Sequence, residues 1–252
     1  MMKTNKGLTT NALKFIACFC MLVDHIGYVF FPTSLYILRV IGRISMPIFA
    51  FFVAEGCKYT KDKTKHFLLM FGLGVFCQIV YFFALHSLYM SILITFSLSI
   101  LMIYALQHFK KAIFEGKKLF HQCMAGGIFL FSVVAVYLFN QFFKVDYGFM
   151  GCMLPVAVSL FDFKDLKVGN HLKALDHNFV RVLCLTAGLI VFCIRAKMPV
   201  RFLNIPISWY SLLAPVLLLF YNGKKGKLKT KYFFYFFYPI HLAVLQGIAW
   251  LL

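Results

Sequence analysis

The sequence is short of acid. Its 252 residues hold 8 Asp+Glu against 26 Lys+Arg, and charged residues of both signs amount to only 13%. A soluble domain carries about a quarter charged residues, so this chain lacks the polar side chains to coat a water-facing globule. Linkers are missing too. No repeat, low-complexity stretch or separate soluble segment breaks the pattern, and one domain over residues 1–252 is expected. The eight cysteines include no Cys-x-x-Cys pair, which argues against a zinc ribbon or a dithiol redox motif. They read instead as small buried hydrophobes. Walker A, Gly-x-Ser-x-Gly and His-Glu-x-x-His patterns are absent, and no metal is expected.

What is present is apolar surface. Hydrophobic residues make up 62% of the chain, with 32 phenylalanines. That surplus needs a bilayer. Nine apolar runs are legible, at about 12–31, 35–57, 66–85, 88–107, 122–142, 148–162, 177–195, 207–221 and 232–252. The sixth and eighth are short enough to be re-entrant. The fold class expected is therefore all-α, a polytopic membrane bundle of about nine helices. The first run follows Lys3, Lys6 and Lys14, but no small-residue cleavage site ends it, and Asp24-His25 interrupts it. It reads as a retained first helix rather than a signal peptide.

The net charge of +18 does not point to nucleic acid, because the basic residues cluster between apolar runs. Twenty Lys+Arg fall in the N-terminal segment and alternate loops (residues 3–14, 58–65, 110–118, 164–181 and 224–231), against four on the other side: Lys144, Arg195, Lys197 and Arg201. By the positive-inside rule the N-terminus is cytoplasmic and the C-terminus outside, in a multi-pass protein of the plasma membrane.

Ionisable residues inside such runs cost at least ~2.5–3.5 kcal/mol each on insertion scales, and so they face protein or a wet cavity. Asp24, His25, Arg39, Arg43, Glu55 and His241 are of this kind. At about 1.5 Å per helical residue, Asp24 lies roughly 10 Å below the outer surface, with Arg39 and Arg43 at about 8 and 13 Å on the next helix. The turn at Pro32 makes these helices neighbours, so an Asp24–Arg pair is expected. His25 points about 100° away from Asp24 around the helix. His241, ten residues past Lys231, reaches about the same level as His25. The two histidines are thus able to meet, and a neutral imidazole there takes a proton from an amine or hydroxyl. A buried Asp–Arg pair also serves packing alone, and a helix histidine can simply satisfy a carbonyl.

Weaker features remain. Glu55 lies beside Lys58 and reads equally as a surface pair. Pro47, Pro155, Pro215 and Pro239 fall inside runs and would kink them. The run from Tyr232 to Tyr238 reads as an interfacial aromatic belt. Asn222-Gly223-Lys224-Lys225-Gly226-Lys227 offers a phosphate cradle, although the positive-inside rule already accounts for its lysines.

An ordered set of motifs carries a resemblance: Met21-Leu22-Val23-Asp24-His25-Ile26-Gly27; Arg39-Val40-Ile41-Gly42-Arg43-Ile44-Ser45-Met46-Pro47; Ala54-Glu55-Gly56; Tyr147-Gly148; Tyr221-Asn222-Gly223-Lys224; and Tyr238-Pro239-Ile240-His241. In this order, over nearly the whole chain, they resemble the TraX family, named for the conjugative pilin acetylase, within a wider class of transmembrane acyltransferases. The resemblance implies acetyl transfer from cytoplasmic acetyl-CoA to an unidentified acceptor. It makes His25 the base, assisted by Asp24; His241, placed at the same level by the depth count, is the further catalytic candidate. Arg39 and Arg43 would orient the acceptor or polarise the thioester carbonyl. Asn222, Lys224, Lys225, Tyr238 and Glu55 would serve the CoA donor. The competing reading is a proton-coupled transporter that uses the same Asp, His and Arg groups as a relay, though no inverted repeat supports it.

Overall fold

A computed structural model describes residues 7–32, 34–164, 166–196, 200–228 and 230–251. Lys3, Lys6, Lys197 and Lys229, which entered the charge count, lie outside the described residues. The described chain is almost entirely helical; its single sheet is a hairpin of two two-residue strands, β1 (Arg201–Phe202) and β2 (Ile205–Pro206).

Every apolar run becomes a helix. Seven candidate spans are long and apolar enough to cross a bilayer: Thr10–Phe30, Tyr36–Tyr59, Lys63–Phe83, Ile92–Phe114, Leu119–Phe142, Asn178–Arg195 and Tyr232–Leu251. The chain is therefore a multi-pass membrane protein. The nine-span expectation is not reproduced by length. Gly148–Val158 and Ile207–Leu219 are shorter apolar helices. Eleven residues rise only about 16 Å against a hydrocarbon core of about 30 Å.

The chain divides into two compact units, residues 1–50 with 185–252, and residues 51–184. In the first unit, α1 (Thr10–Phe30) packs against α2 (Tyr36–Gly42) and α11 (Lys231–Leu251). The second run is broken. α2 ends at Gly42, two turn residues follow, and α3 (Ser45–Tyr59) resumes. Pro47 causes this break: it has no N–H for the carbonyl of Arg43 four residues back, and its ring collides with that carbonyl. Pro155 and Pro239 lie within α7 (Gly148–Val158) and α11.

The start of α1 is held by the chain's C-terminal part. Thr9 caps it, its Oγ1 accepting from Ala12 N at 3.2 Å. The carbonyls of Lys224 and Lys225 accept from Thr10 N and Asn11 N at 2.8 and 3.2 Å. Asn11 Nδ2 donates to Leu228 O at 2.7 Å. Gly226, at φ +91°, makes this approach possible: a Cβ there would meet Thr9 Oγ1 at 3.1 Å and Asn11 Cβ at 3.2 Å.

In the second unit α5 (Ile92–Phe114) is central, flanked by α4 (Lys63–Leu85), α6 (Leu119–Phe142) and α7. α7 runs parallel to α5. Its start is tied near the start of α5, where Met90 N donates to Lys144 O at 2.9 Å and Thr95 Oγ1 donates to Asp146 O at 2.7 Å. Just past its end, Ser159 O accepts from Lys110 Nζ at 2.7 Å, near the other end of α5. With 11 residues against 23, α7 itself covers about half the length of its neighbour. The 163–176 segment carries one short helix, α8 (Asn170–Leu175), and α9 (Asn178–Arg195) follows.

Candidate functional site

The first unit assembles two adjoining groups of polar side chains. Arg43 Nη2 donates to both carboxylate oxygens of Asp24, at 2.9 and 2.8 Å. Arg39 Nη1 lies 3.3 Å from Asp24 Oδ1 and donates to the Asp24 carbonyl at 3.2 Å. Arg43 Nε also reaches the Arg39 carbonyl at 3.3 Å. The expected Asp24–Arg pair is thus present, with both arginines on one carboxylate. Helical spacing of four explains it: Arg39 and Arg43 share the face of α2 that meets α1. Gly42 leaves the room, since a Cβ there would overlap the Asp24 side chain.

Two guanidinium groups against one carboxylate leave an excess positive charge at this level. Arg43 and Asp24 are buried. Arg39 is the more accessible arginine, with its side chain 21% exposed and its guanidinium 5.1 Å from the Tyr28 ring centroid. This is the group best able to meet an oxygen that develops negative charge.

The second group is the histidine pair. His241 Nε2 lies 3.2 Å from His25 Nδ1, and the rings meet edge-on with centroids 4.9 Å apart. His25 Nδ1 is also 2.8 Å from Met21 O, and His241 Nδ1 is 2.7 Å from Phe237 O. A carbonyl oxygen only accepts, so each Nδ1 carries its hydrogen. In the neutral pair His241 Nε2 is then a lone pair, able to accept a share of the His25 Nδ1–H. The same tautomer leaves the lone pair of His25 on Nε2, which makes that atom the basic nitrogen of the pair. Phe237 stacks on the His241 ring at 4.9 Å and Tyr238 meets it edge-on at 5.8 Å, which fixes its plane. Tyr238, His241 and Leu245 form the buried stripe of α11, at helical spacing. Asp24 faces α2 while His25 faces α11, as the 100° offset requires.

The residues expected to serve the donor are dispersed. Asn222 Nδ2 donates to Gly7 O at 3.1 Å, and its Oδ1 accepts from Lys224 N at 3.0 Å. The carbonyls of Lys224 and Lys225 turn toward α1 while their side chains are exposed. Tyr238 is buried beside His241 and is not part of an exposed belt; Tyr232, Phe233 and Phe236 are the exposed members of that run. Glu55 is no surface partner of Lys58. It pairs with Arg181 in the second unit, while Lys58 pairs with Asp176 and lies 3.5 Å from Asp162.

That last cluster escaped the reading of the sequence. Lys58, Lys110 and Arg181 were expected as loop charges, yet all three are buried helix residues. A hint was available in the opposite charges: Asp162, Asp176 and Glu55 flank the same apolar runs and match these cations in number.

A multi-pass helical membrane protein with arginine, aspartate and histidine side chains gathered inside it defines the class. The family follows from comparison. A family model described as TraX protein matches residues 9–249, and the chain belongs to the TraX family. It is 26% identical over 263 residues to the probable fimbrial assembly protein FimC, serogroup H1, of Dichelobacter nodosus, covering 97% of each chain. It is 41% identical over 68 residues to the uncharacterized protein RP591 of Rickettsia prowazekii (strain Madrid E), covering 27% of this chain and 26% of that one. No solved structure matches.

Proposed function

We propose that the chain is a membrane-embedded acetyltransferase that moves an acetyl group from cytoplasmic acetyl-CoA to an amine or hydroxyl of a membrane or extracytoplasmic acceptor. The observation that carries this reading is the His25–His241 pair, because its tautomers leave a basic Nε2 on His25. In the transfer, His25 Nε2 takes the proton of the attacking nucleophile. The nucleophile adds to the thioester carbonyl, and the oxyanion that forms draws on the arginine charge. Collapse breaks the carbon–sulfur bond, and the CoA thiolate recovers the proton from His25. The cationic His25 strengthens its Nδ1–H bond to His241, which positions the ring and does not itself touch the reacting atoms. Asp24 contributes by holding both arginines in place.

The N-terminus lies in the cytoplasm and the C-terminus outside, in the plasma membrane, as the lysine-rich alternate segments support. The printed name of the Dichelobacter nodosus relative, a probable fimbrial assembly protein, supports an acceptor such as the N-terminal amine of a pilin-like subunit. The exposed Lys224 and Lys225 side chains meet CoA phosphates from the cytoplasm.

Reconstituted protein supplied with labelled acetyl-CoA tests the reading. Label passes to a membrane-side amine or hydroxyl acceptor, and CoA raises the melting temperature by mass action. No melting shift at saturating CoA, together with ion or solute flux that ignores CoA, would overturn it in favour of a proton-coupled carrier.

A further inference from the structure

The second unit holds a cleft that the transfer reaction does not use. It lies where α5 meets α6, has a volume of about 60 Å³, and is floored by Ala112 and Ala125, both buried. Two facing alanines leave the hollow. Next to it, Gly126 lets the helices close up: a Cβ there would meet Phe109 Cε2 at 3.0 Å. A single water needs only about 10–15 Å³ of such space, so the hollow accommodates a group of phosphate size.

The rim is basic. His108, Lys117 and His121 line it, and all three are exposed. The backbone sets Lys117 firmly. Glu115 N donates to Lys111 O at 3.0 Å, Lys117 N donates to Ala112 O at 3.2 Å, and Gly116 at φ +65° turns the chain between them. Lys117 O in turn accepts from Gln122 Nε2 at 2.8 Å. Lys111 and Lys118, both exposed, flank this turn in sequence. The acid of this turn, Glu115, lies 3.7 Å from Lys111 Nζ.

Below the rim the wall is apolar. Met124 and Ile128 line the cleft and are 51% and 48% exposed. They belong to a helix whose spanning window is only 11% buried, so they face the acyl chains. A basic mouth at the end of a membrane hairpin, continued by an apolar wall, matches a phosphate carried on hydrocarbon, and basic pockets between spanning helices hold anionic headgroups in this way. We infer that the α5–α6 cleft is a binding site for the headgroup of an anionic phospholipid, its phosphate held by Lys117, His108 and His121 and its acyl chain lying along Met124 and Ile128.

The test uses the full chain, delipidated in neutral detergent, with melting temperature as the readout. Dioctanoyl phosphatidylglycerol produces a saturable rise, whereas dioctanoyl phosphatidylcholine and inorganic phosphate at equal concentration produce none. The Lys117→Gln/His121→Gln variant melts normally without lipid and needs about tenfold more phosphatidylglycerol for half the rise, since Lys117 supplies charge attraction and His121 a hydrogen-bonding ring to the headgroup. Lys117→Glu alone weakens the response further. An equal rise with phosphatidylcholine would overturn the proposal, as would the full rise with inorganic phosphate alone. So would an unshifted midpoint in both variants.

Discussion

His241 Nε2 lies 3.2 Å from His25 Nδ1 across 216 residues of sequence, joining the chain's first and last helices. The contact is asymmetric. His25 offers the hydrogen, His241 accepts it, and the basic nitrogen left over is His25 Nε2. The two positions should therefore respond differently to substitution. His25→Ala removes the base and lowers acetyl transfer by about 10²–10⁴-fold, the usual worth of general acid–base catalysis. His241→Gln keeps a side-chain acceptor and costs about tenfold, while His241→Ala costs more. Single-turnover transfer of labelled acetyl, with melting temperature as a folding control, measures both. Equal losses at the two positions would contradict the assignment of His25 as base and His241 as its positioning residue.

The Asp24–Arg43 pair is buried, so breaking it strands a charge. Asp24→Asn and Arg43→Ala are each expected to destabilise by about 3–5 kcal/mol. Arg43→Lys does not restore stability, because one ammonium cannot serve both the carboxylate and the Arg39 carbonyl that Arg43 Nη2 and Nε reach together. Arg39 is more accessible, and Arg39→Ala should spare stability while lowering the rate of transfer. Melting in detergent together with a KM-against-kcat comparison separates the two arginines.

The first hairpin was legible because depth converts to residue number on a helix. Asp24, Arg39 and Arg43 fall at one level by arithmetic alone, and His25 and His241 converge by the same reasoning. The second unit's ion pairs were not legible in this way. A charge near the end of an apolar run looks the same whether it enters water or turns back into the bundle. Lys58 chooses Asp176, and Glu55 chooses Arg181, more than a hundred residues away, so adjacency in sequence misled. The 222–227 segment was ambiguous for another reason. Its glycines and lysines suit an anion, but whether its N–H groups or its carbonyls face inward depends on the docking partner, which proves to be the start of α1.

That second set of pairs makes its own prediction. Arg181 is buried, and Glu55, its side chain 12% exposed, is matched to it. Glu55→Gln and Arg181→Gln each leave the partner's charge uncompensated and lower the melting temperature sharply, by the same 3–5 kcal/mol logic. The double substitution Glu55→Gln/Arg181→Gln leaves no stranded charge and recovers much of the loss. A double-mutant cycle on melting free energies measures the coupling; additive losses would mean that the two side chains are independent in the folded protein.

Gly42 supplies the sharpest steric prediction. It stands between the two arginines on α2, and a Cβ added there would occupy the space of the Asp24 carboxylate. Gly72 and Gly127, also inside helices, have nothing within 4 Å of a Cβ. Helix propensity alone favours alanine over glycine by about 0.5–1 kcal/mol at all three positions. Gly72→Ala and Gly127→Ala should therefore be neutral or slightly stabilising. Gly42→Ala should be strongly destabilising, because the added Cβ meets the Asp24 Cβ itself at 2.2 Å, so α1 and α2 must separate. Truncating the aspartate does not relieve the clash, because the Asp24 Cβ itself lies 2.2 Å from the added Cβ, so Gly42→Ala/Asp24→Ala is no more stable than Gly42→Ala and also leaves two uncompensated arginines in the membrane. Thermal melts of the four variants decide it. A Gly42→Ala protein that melts like the Gly127→Ala protein would show that α1 and α2 do not meet as closely as the Asp24–Arg43 contact demands.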